Sequence, residues 1–227
     1  MAQVLLIGGT GTGKSTSLSY LNPKETFIIR VVNKALPFKG WKGVYTECTP
    51  GQIESGNMYT TYNFDTIIKL IELLDKKRPD IKNLIIDDTQ YCMGFEYMQN
   101  AKQKGYDLFK DLASNLFQVM KRLEALRTDL NVCLTWHPEI DLDVNGNKVV
   151  KAKTVGKLFD SAVNLEGMFT YVIYSELVEK NGELLYQFRT QNTGSNTGKT
   201  PMGCFNDLYI PNNMQLVFDT INKFENG

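Results

Sequence analysis

The residues with the clearest chemical potential lie near the N-terminus, in a glycine-rich turn between a short apolar run and a segment that can start a helix. The turn follows the pattern Gly8-x-x-x-x-Gly13-Lys14-Ser15, and residues 4–7 form the apolar run before it. Glycines let backbone N–H groups curve around a phosphate without clashes from Cβ atoms, and a helix N-terminus adds partial positive charge. The ammonium of Lys14 can reach the outer phosphates, and the hydroxyl of Ser15 can bind Mg²⁺. This context predicts a loop that binds a nucleoside triphosphate.

We expect ATP, bound with Mg²⁺, to be the ligand of this loop, because the chain carries no Asn-Lys-x-Asp signature of a guanine site. The alternative is a glycine-rich turn that matches the pattern by chance, and the strand before it and the helix after it argue against chance. The expected nucleotide contacts are Gly9, Thr10, Gly11, Thr12, Gly13, Lys14, Ser15 and Thr16.

A second apolar run, residues 83–87, ends in acid. This is typical of the strand that brings a carboxylate to the Mg²⁺ ion beside a phosphate loop. Asp87 is therefore the expected metal-site residue together with Ser15, and we expect its strand to lie beside the strand of the loop. The alternative is a strand-end Asp87 that caps a turn.

Two acids are candidates for activating the attacking water. Asp88 directly follows Asp87, and its side chain is shorter than that of the glutamate that many ATPases use. Glu47 stands at the end of a predicted third strand, residues 44–48. The sequence does not choose between Asp88 and Glu47.

His137 is the one histidine of the chain and follows a predicted strand at residues 131–135. A polar side chain just beyond a core strand, next to the strand of Asp87, can touch the γ-phosphate and sense hydrolysis. We therefore expect His137 in the catalytic site. The alternative is a structural histidine whose hydrogen bonds are satisfied within the protein.

Basic side chains cluster locally although the whole chain is neutral, with 25 basic and 25 acidic residues. Total charge therefore gives no argument for nucleic-acid binding, which would need a local basic patch. One such cluster lies downstream of His137, and phosphate contacts require this density of charge. The alternative is a solvated hairpin around an Asn-Gly-Asn turn. The expected DNA-binding residues are Lys148, Lys151, Lys153 and Lys157.

Two further loops carry lysines. Residues 33–43 mix Lys34 with other lysines and with aromatic residues, which can stack on bases or pack on their own domain. Residues 191–205 form a polar, glycine-rich loop around Lys199. Lys199 can donate positive charge to the γ-phosphate of a neighbouring subunit, and the alternative is a plain surface lysine.

The apolar patterns between these motifs predict an α/β fold with a mainly parallel central sheet flanked by helices. Residues 27–32 form another buried apolar run, and apolar stripes at helical spacing predict helices over residues 65–77 and 107–127. Two alternating runs joined by Asn181-Gly182 predict an antiparallel hairpin that extends the sheet.

We expect one domain over residues 1–227. Its core would span residues 1–165, and residues 166–227 would hold the hairpin, the Lys199 loop and a last helix. The four cysteines form no CxxC pair, which argues against a zinc site. No stretch approaches the roughly 18 apolar residues of a membrane span, and no signal peptide is apparent. We therefore expect a protein of the cytoplasm, that of the host cell if the chain is phage-encoded.

These features together resemble RecA-type ATPases. The chain looks most similar to the small phage-encoded RecA-like ATPases, described as phage nucleotide-binding or Sak-type single-strand-annealing proteins. The resemblance covers nearly the whole chain and implies a RecA-like P-loop fold that binds ATP and Mg²⁺. It rests on residues 8–16, 84–88, 134–137, 188–191 and 199–203.

The resemblance also implies roles for particular positions. In RecA-type proteins the position of His137 carries a glutamine that senses the γ-phosphate and begins a DNA-binding loop, here residues 138–156. Residues 199–203 resemble the segment whose lysines reach across a filament interface, which implies a homo-oligomer with a shared ATP site. RecA-type proteins also place a catalytic glutamate at the end of the strand after the phosphate-loop helix. Here residues 31–34 read Val-Val-Asn-Lys, without an acid.

Two functions follow. One is a DNA-stimulated ATPase that binds single-stranded DNA and promotes annealing or recombination. The other is a nucleotide-gated assembly module with little turnover, which acts with a replication or recombination partner such as a single-strand-binding protein. A small-molecule kinase fits less well, because Arg122, Arg127 and Arg189 are scattered and form no arginine-rich lid.

Overall fold

The computed structural model describes residues 1–100, 107–143, 145–154 and 163–227. The strands in this part of the chain are β1 (Gln3–Gly8), β2 (Thr26–Arg30), β3 (Met58–Thr60), β4 (Asn83–Asp87), β5 (Asn131–Trp136), β6 (Pro138–Leu142), β7 (Lys148–Ala152), β8 (Tyr171–Lys180), β9 (Glu183–Arg189) and β10 (Tyr209–Pro211). The α-helices are α1 (Phe64–Lys77), α2 (Tyr91–Gln99), α3 (Asp107–Glu124) and α4 (Met214–Asn226). Short 3₁₀ helices cover Thr16–Tyr20, Trp41–Gly43, Ile53–Ser55 and Glu166–Met168.

Eight of the strands form one mainly parallel sheet in the order β10-β9-β8-β1-β5-β4-β2-β3. β8 runs parallel to β1, whereas β9 and β10 continue the sheet in antiparallel fashion. β6 and β7 form a separate two-stranded antiparallel sheet. The predicted α/β class, with a mainly parallel sheet and an added antiparallel hairpin, is confirmed.

Helices cover both faces of the sheet, which is why its central strands are apolar at nearly every position. On β1, Leu5 and Ile7 pack in the core on the side of α1 and α3. Val4 and Leu6 pack in a second core on the side of α4. Because the parallel strands share one direction, their carboxyl ends meet at one edge of the sheet. Among the described residues, no helix combines the length and apolarity needed to cross a bilayer.

The structure corrects the expected neighbour of β1. β5 pairs with β1, in the register Leu5↔Leu134, and β4 pairs with the other side of β5. Strand order depends on long-range pairing that an apolar run does not encode. Asp87 still ends at the same edge as the phosphate loop, because β4, β5 and β1 are all parallel.

The predicted third strand at residues 44–48 is wrong. Only Glu47 forms a bridge there, to Met58, and the strand in this region is β3. The side-chain oxygen of Asn57 accepts a hydrogen bond from the N–H of Thr46 at 2.8 Å. This contact uses a backbone group that a strand ladder would need, so the segment forms a loop.

Candidate functional site

The phosphate loop joins β1 to the 3₁₀ helix Thr16–Tyr20 and contains two glycines with positive φ, Gly11 at 78° and Gly13 at 97°. A Cβ atom on Gly13 would lie 2.8 Å from Cδ1 of Tyr186 and 2.9 Å from Nδ2 of Asn212. Conformation and space both require glycine at position 13. The loop therefore has the compact, side-chain-free geometry that lets backbone N–H groups approach a phosphate.

Lys14 lies inside this loop. Its Nζ donates to the carbonyl oxygens of Gly8 at 2.7 Å and Gly9 at 2.9 Å. Only 5% of the residue is exposed. Burial lowers the pKa of Lys14 to about 8, although the charges of Asp88 and Asp87 oppose the shift. The ammonium is therefore poorly solvated and would gain a strong partner in a phosphate oxygen.

Ser15 and Asp87 converge as a metal site requires. The hydroxyl of Ser15 lies 3.0 Å from both carboxylate oxygens of Asp87, and the hydroxyl of Thr135 donates to Oδ1 of Asp87 at 2.7 Å. Burial, with the nearby charge of Asp88 as a second cause, raises the pKa of Asp87. A hydroxyl and a buried carboxylate side by side are hard oxygen ligands that fit Mg²⁺. A cation there would favour the ionised form of Asp87.

Asp88 occupies a strained position at the end of β4, with φ at 63°, which is uncommon for a residue other than glycine. Its Oδ2 forms an ion pair with Nζ of Lys34, and its Oδ1 lies 3.4 Å from Nε2 of His137. Within the described residues, Oδ1 is buried and makes no hydrogen bond. Burial alone would raise the pKa of Asp88, but His137 and Lys34 outweigh it and hold that pKa below its usual value.

These side chains, apart from that of Asp87, line one cavity of about 470 Å³. His137 reaches it from the end of β5, and the rings of His137 and Tyr91 form a T-shaped contact with a centroid distance of 5.7 Å. Of the expected nucleotide contacts, Gly9 and Thr12 shape the loop through their backbone, and the others line the cavity. The lining residues are Thr10, Gly11, Gly13, Lys14, Ser15, Thr16, Lys34, Ala35, Pro37, Asp88, Tyr91, His137 and Tyr186.

Two expected catalytic residues lie elsewhere. Glu47 forms an ion pair with Arg30 at 3.0 Å and does not line the cavity. Lys199 also lies outside it, because its backbone pairs with Val172 on β8 through hydrogen bonds of 2.8 and 2.9 Å. Val172 lies three residues before Ser175, which faces the end of β1. The backbone at Lys199 is thus anchored to the sheet, and its expected role in a neighbouring subunit stays a prediction.

Two of the four clustered lysines, Lys148 and Lys151, lie on β7, and Lys153 directly follows this strand. Lys151 contacts Glu139 at 3.6 Å and Asp141 at 2.7 Å across the hairpin. Lys148 and Lys153 are exposed. Lys157 lies outside the described residues. Residues 138–154 contain three acidic residues and three lysines, so the hairpin carries no net charge.

Several residues of the site were not expected from the sequence. Lys34 follows buried β2 as His137 follows β5, so the same signal, a polar residue just past a core strand, points to both. Ser175 on β8 donates its hydroxyl to the carbonyl oxygen of Thr12 at 2.6 Å, and the one sequence signal is a small polar residue in an apolar strand. No sequence pattern indicates that Tyr186 of β9 belongs to the site. The C-terminal hairpin therefore braces the phosphate loop as well as extending the sheet.

A comparison with curated protein sequences finds no match. Among solved structures, the chain is similar to a KaiC-like protein from the hyperthermophilic archaeon Pyrococcus horikoshii OT3. The two share 18% identity and a TM-score of 0.45 over 83% of this chain and 77% of that chain. A comparison with protein families matches residues 1–202 to the AAA domain. Since that match spans most of the sequence, the chain belongs to the AAA domain family.

Proposed function

We propose that this protein hydrolyses ATP, as a RecA-like ATPase that binds single-stranded DNA and promotes its annealing or recombination. One observation carries the hydrolysis: the phosphate loop and the carboxylate of Asp88 line one cavity, and Ser15 of that loop contacts Asp87 at 3.0 Å. A loop that only bound phosphate would not need a second buried acid with an unused oxygen in the same cavity.

The chemistry assigned to each residue follows from its position. Ser15 and Asp87 would hold Mg²⁺, which would supply positive charge against the phosphates. Water forms a bond to the γ-phosphorus, the bond from this phosphorus to the β–γ bridging oxygen breaks, and ADP and inorganic phosphate leave. Oδ1 of Asp88 accepts the proton that the water loses. Nε2 of His137, which lies 3.4 Å from Oδ1, orients the carboxylate of Asp88.

The nucleotide base has a candidate site beside the phosphates. A second cavity of about 590 Å³ shares Thr16 and Tyr186 with the first, and Tyr20, Tyr209 and Pro211 also line it. Aromatic and apolar walls next to a phosphate loop favour the flat ring of a base.

Single-stranded DNA is proposed as a ligand because Lys153 is exposed beside His137, because Lys148 is exposed at the other end of β7, and because the chain resembles annealing proteins. Lys153 and His137 share a small cavity, so a phosphate held there would lie close to the γ-phosphate sensor. The decisive measurement is ATP turnover against increasing single-stranded DNA, with Lys14→Ala as the inactive control. Stimulation of turnover with salt-sensitive DNA binding is expected; the absence of both would end the DNA proposal.

A nucleotide-gated assembly module with little turnover is the second candidate, and the Lys34–Asp88 ion pair favours it. A carboxylate held by an ammonium is a poorer proton acceptor. Such a module would retain intact ATP for hours and would change its oligomeric state or bind a single-strand-binding protein. Rapid multiple turnover at low protein concentration would exclude it.

A further inference from the structure

We propose that Lys34 is the second cation of the triphosphate site and acts within its own subunit. It exchanges the carboxylate of Asp88 for the γ-phosphate when ATP enters. This inference rests on the proposed ATP binding. In this proposal Lys34 supplies the positive charge at the γ-phosphate, a role that the resemblance implies for Lys199 of a neighbouring subunit.

The fold places Lys34 at the edge of the sheet where the carboxyl ends of the parallel strands meet. β2 and β4 pair in parallel register, with Arg30 opposite Asp87, so the residues that follow both strands emerge side by side. Nζ of Lys34 contacts Oδ2 of Asp88 from the cavity that the phosphate loop also lines. About half of the Lys34 side chain is exposed, so its long stem approaches the carboxylate from the solvent side.

Charge balance then predicts where this arm moves. Lys14 and Lys34 are the cationic side chains that line the cavity among the described residues, and the charges of Asp87 and Asp88 act on both of them. ATP with Mg²⁺ brings net negative charge to this group. Phosphoryl transfer is stabilised by cations that contact the transferred group. With Lys14 inside the phosphate loop, Lys34 is the ammonium left for the γ-phosphate.

The move also frees the acid. Oδ1 of Asp88 makes no hydrogen bond among the described residues, whereas Oδ2 is held by Lys34. When Lys34 turns to the γ-phosphate, both oxygens become available to the attacking water. Lys34 would therefore keep Asp88 occupied without nucleotide and release it when a γ-phosphate is present.

Nucleotide affinity tests this exchange without relying on turnover. Binding of ADP and of a non-hydrolysable ATP analogue is measured by titration calorimetry with Mg²⁺ for the full chain and for Lys34→Met, Lys34→Arg and Lys39→Met. Lys39 is an exposed lysine of the same loop and serves as the matched control. Lys34→Met should lose roughly ten- to a hundredfold in analogue affinity and keep its ADP affinity within about twofold. Lys34→Arg should retain most of the analogue affinity, and Lys39→Met should match the wild type.

A second variant distinguishes binding of the γ-phosphate by Lys34 from a role in which Lys34 only holds Asp88 in place. Asp88→Asn removes the partner of Lys34, so analogue affinity should be kept or should rise. Equal losses of analogue affinity in Asp88→Asn and Lys34→Met would overturn the exchange, as would an unchanged Lys34→Met or one that loses ADP equally. If the wild type bound neither nucleotide, the proposed function itself would fail. In single-turnover hydrolysis, Lys34→Met should be slow at saturating ATP, and the wild-type rate should not rise with protein concentration.

Discussion

The phosphate loop and the β6–β7 hairpin were both predicted to bind phosphate from short clusters of residues. They differ in whether the clustered side chains form one site in the folded structure. In the loop, Lys14 and Ser15 lie within one cavity and meet Asp87 from a distant part of the chain. On the hairpin, the lysines do not form a basic patch, because Lys151 faces acids of the opposite strand.

The difference lies in what each motif needs from the rest of the molecule. A phosphate loop works through backbone N–H groups and adjacent side chains, so its geometry is encoded within a few residues. Side chains of a strand alternate between two faces, so Lys148 lies on one face of β7 and Lys151 on the other. Cross-strand partners then decide the local charge. A dense run of lysines is therefore weaker evidence for a binding surface than a glycine pattern is for a phosphate site.

The strongest test of the loop is Lys14→Ala. This change removes the buried ammonium that faces the loop, so we expect ATP and ADP affinity to fall by roughly a hundredfold or more. Lys24→Ala, at an exposed lysine outside the loop, should bind as the wild type does. Fluorescent nucleotide titration checks both, and circular dichroism checks folding. Unchanged binding by a folded Lys14→Ala protein would show that the loop does not hold phosphate.

Asp87→Asn tests the partner that the loop recruits from β4. The amide keeps the shape of the carboxylate but loses its charge, so Mg²⁺-dependent ATP affinity should fall roughly ten- to a hundredfold. Affinity measured in EDTA should change little. A loss of equal size with and without Mg²⁺ would mean that Asp87 supports the loop and does not serve the metal.

The sequence predicted those features that one segment encodes alone. β1, β2, β4 and β5 were recognisable because strands covered on both faces read as continuous apolar runs. The hairpin turn at Asn181-Gly182 was recognisable because its φ angles of 56° and 81° are those that this residue pair favours. The helix predicted over residues 65–77 is α1, and the side chain of Asn63 caps it by accepting a hydrogen bond from the N–H of Thr66.

Features that depend on distant pairing were missed. The insertion of β5 between β1 and β4 and the addition of β10 follow from the assembled sheet. Lys34 follows a buried strand, but its contact with Asp88 appears only when β2 and β4 pair. The contact of Tyr186 with the phosphate loop likewise depends on where β9 lies. Local patterns fixed which residues form the loop, and long-range pairing decided what surrounds it.

The pH dependence of nucleotide affinity tests whether Lys14 takes up a proton when nucleotide binds. Its pKa of about 8 in the free protein lies below that of an exposed lysine, and a bound phosphate would raise it. Above pH 8 the free protein has lost this proton, so binding must take one up, and affinity should fall about tenfold between pH 7 and pH 9. Titration calorimetry in buffers of different ionisation enthalpy measures the uptake. Lys14→Arg, whose guanidinium stays charged, should show no such fall; an equal fall would assign it to another group.

The smallest expected effect is on DNA affinity, and it differs between two lysines of the hairpin. Lys153→Ala should weaken single-stranded DNA binding by a few fold and lower the salt slope by about 1, because its exposed ammonium is available to phosphate. Lys151→Ala should change both quantities less, because Glu139 and Asp141 already balance its charge. Fluorescence anisotropy at several salt concentrations measures both variants. A larger effect at Lys151 than at Lys153 would mean that DNA displaces the two acids, and the hairpin would then be a binding surface in spite of its neutral charge.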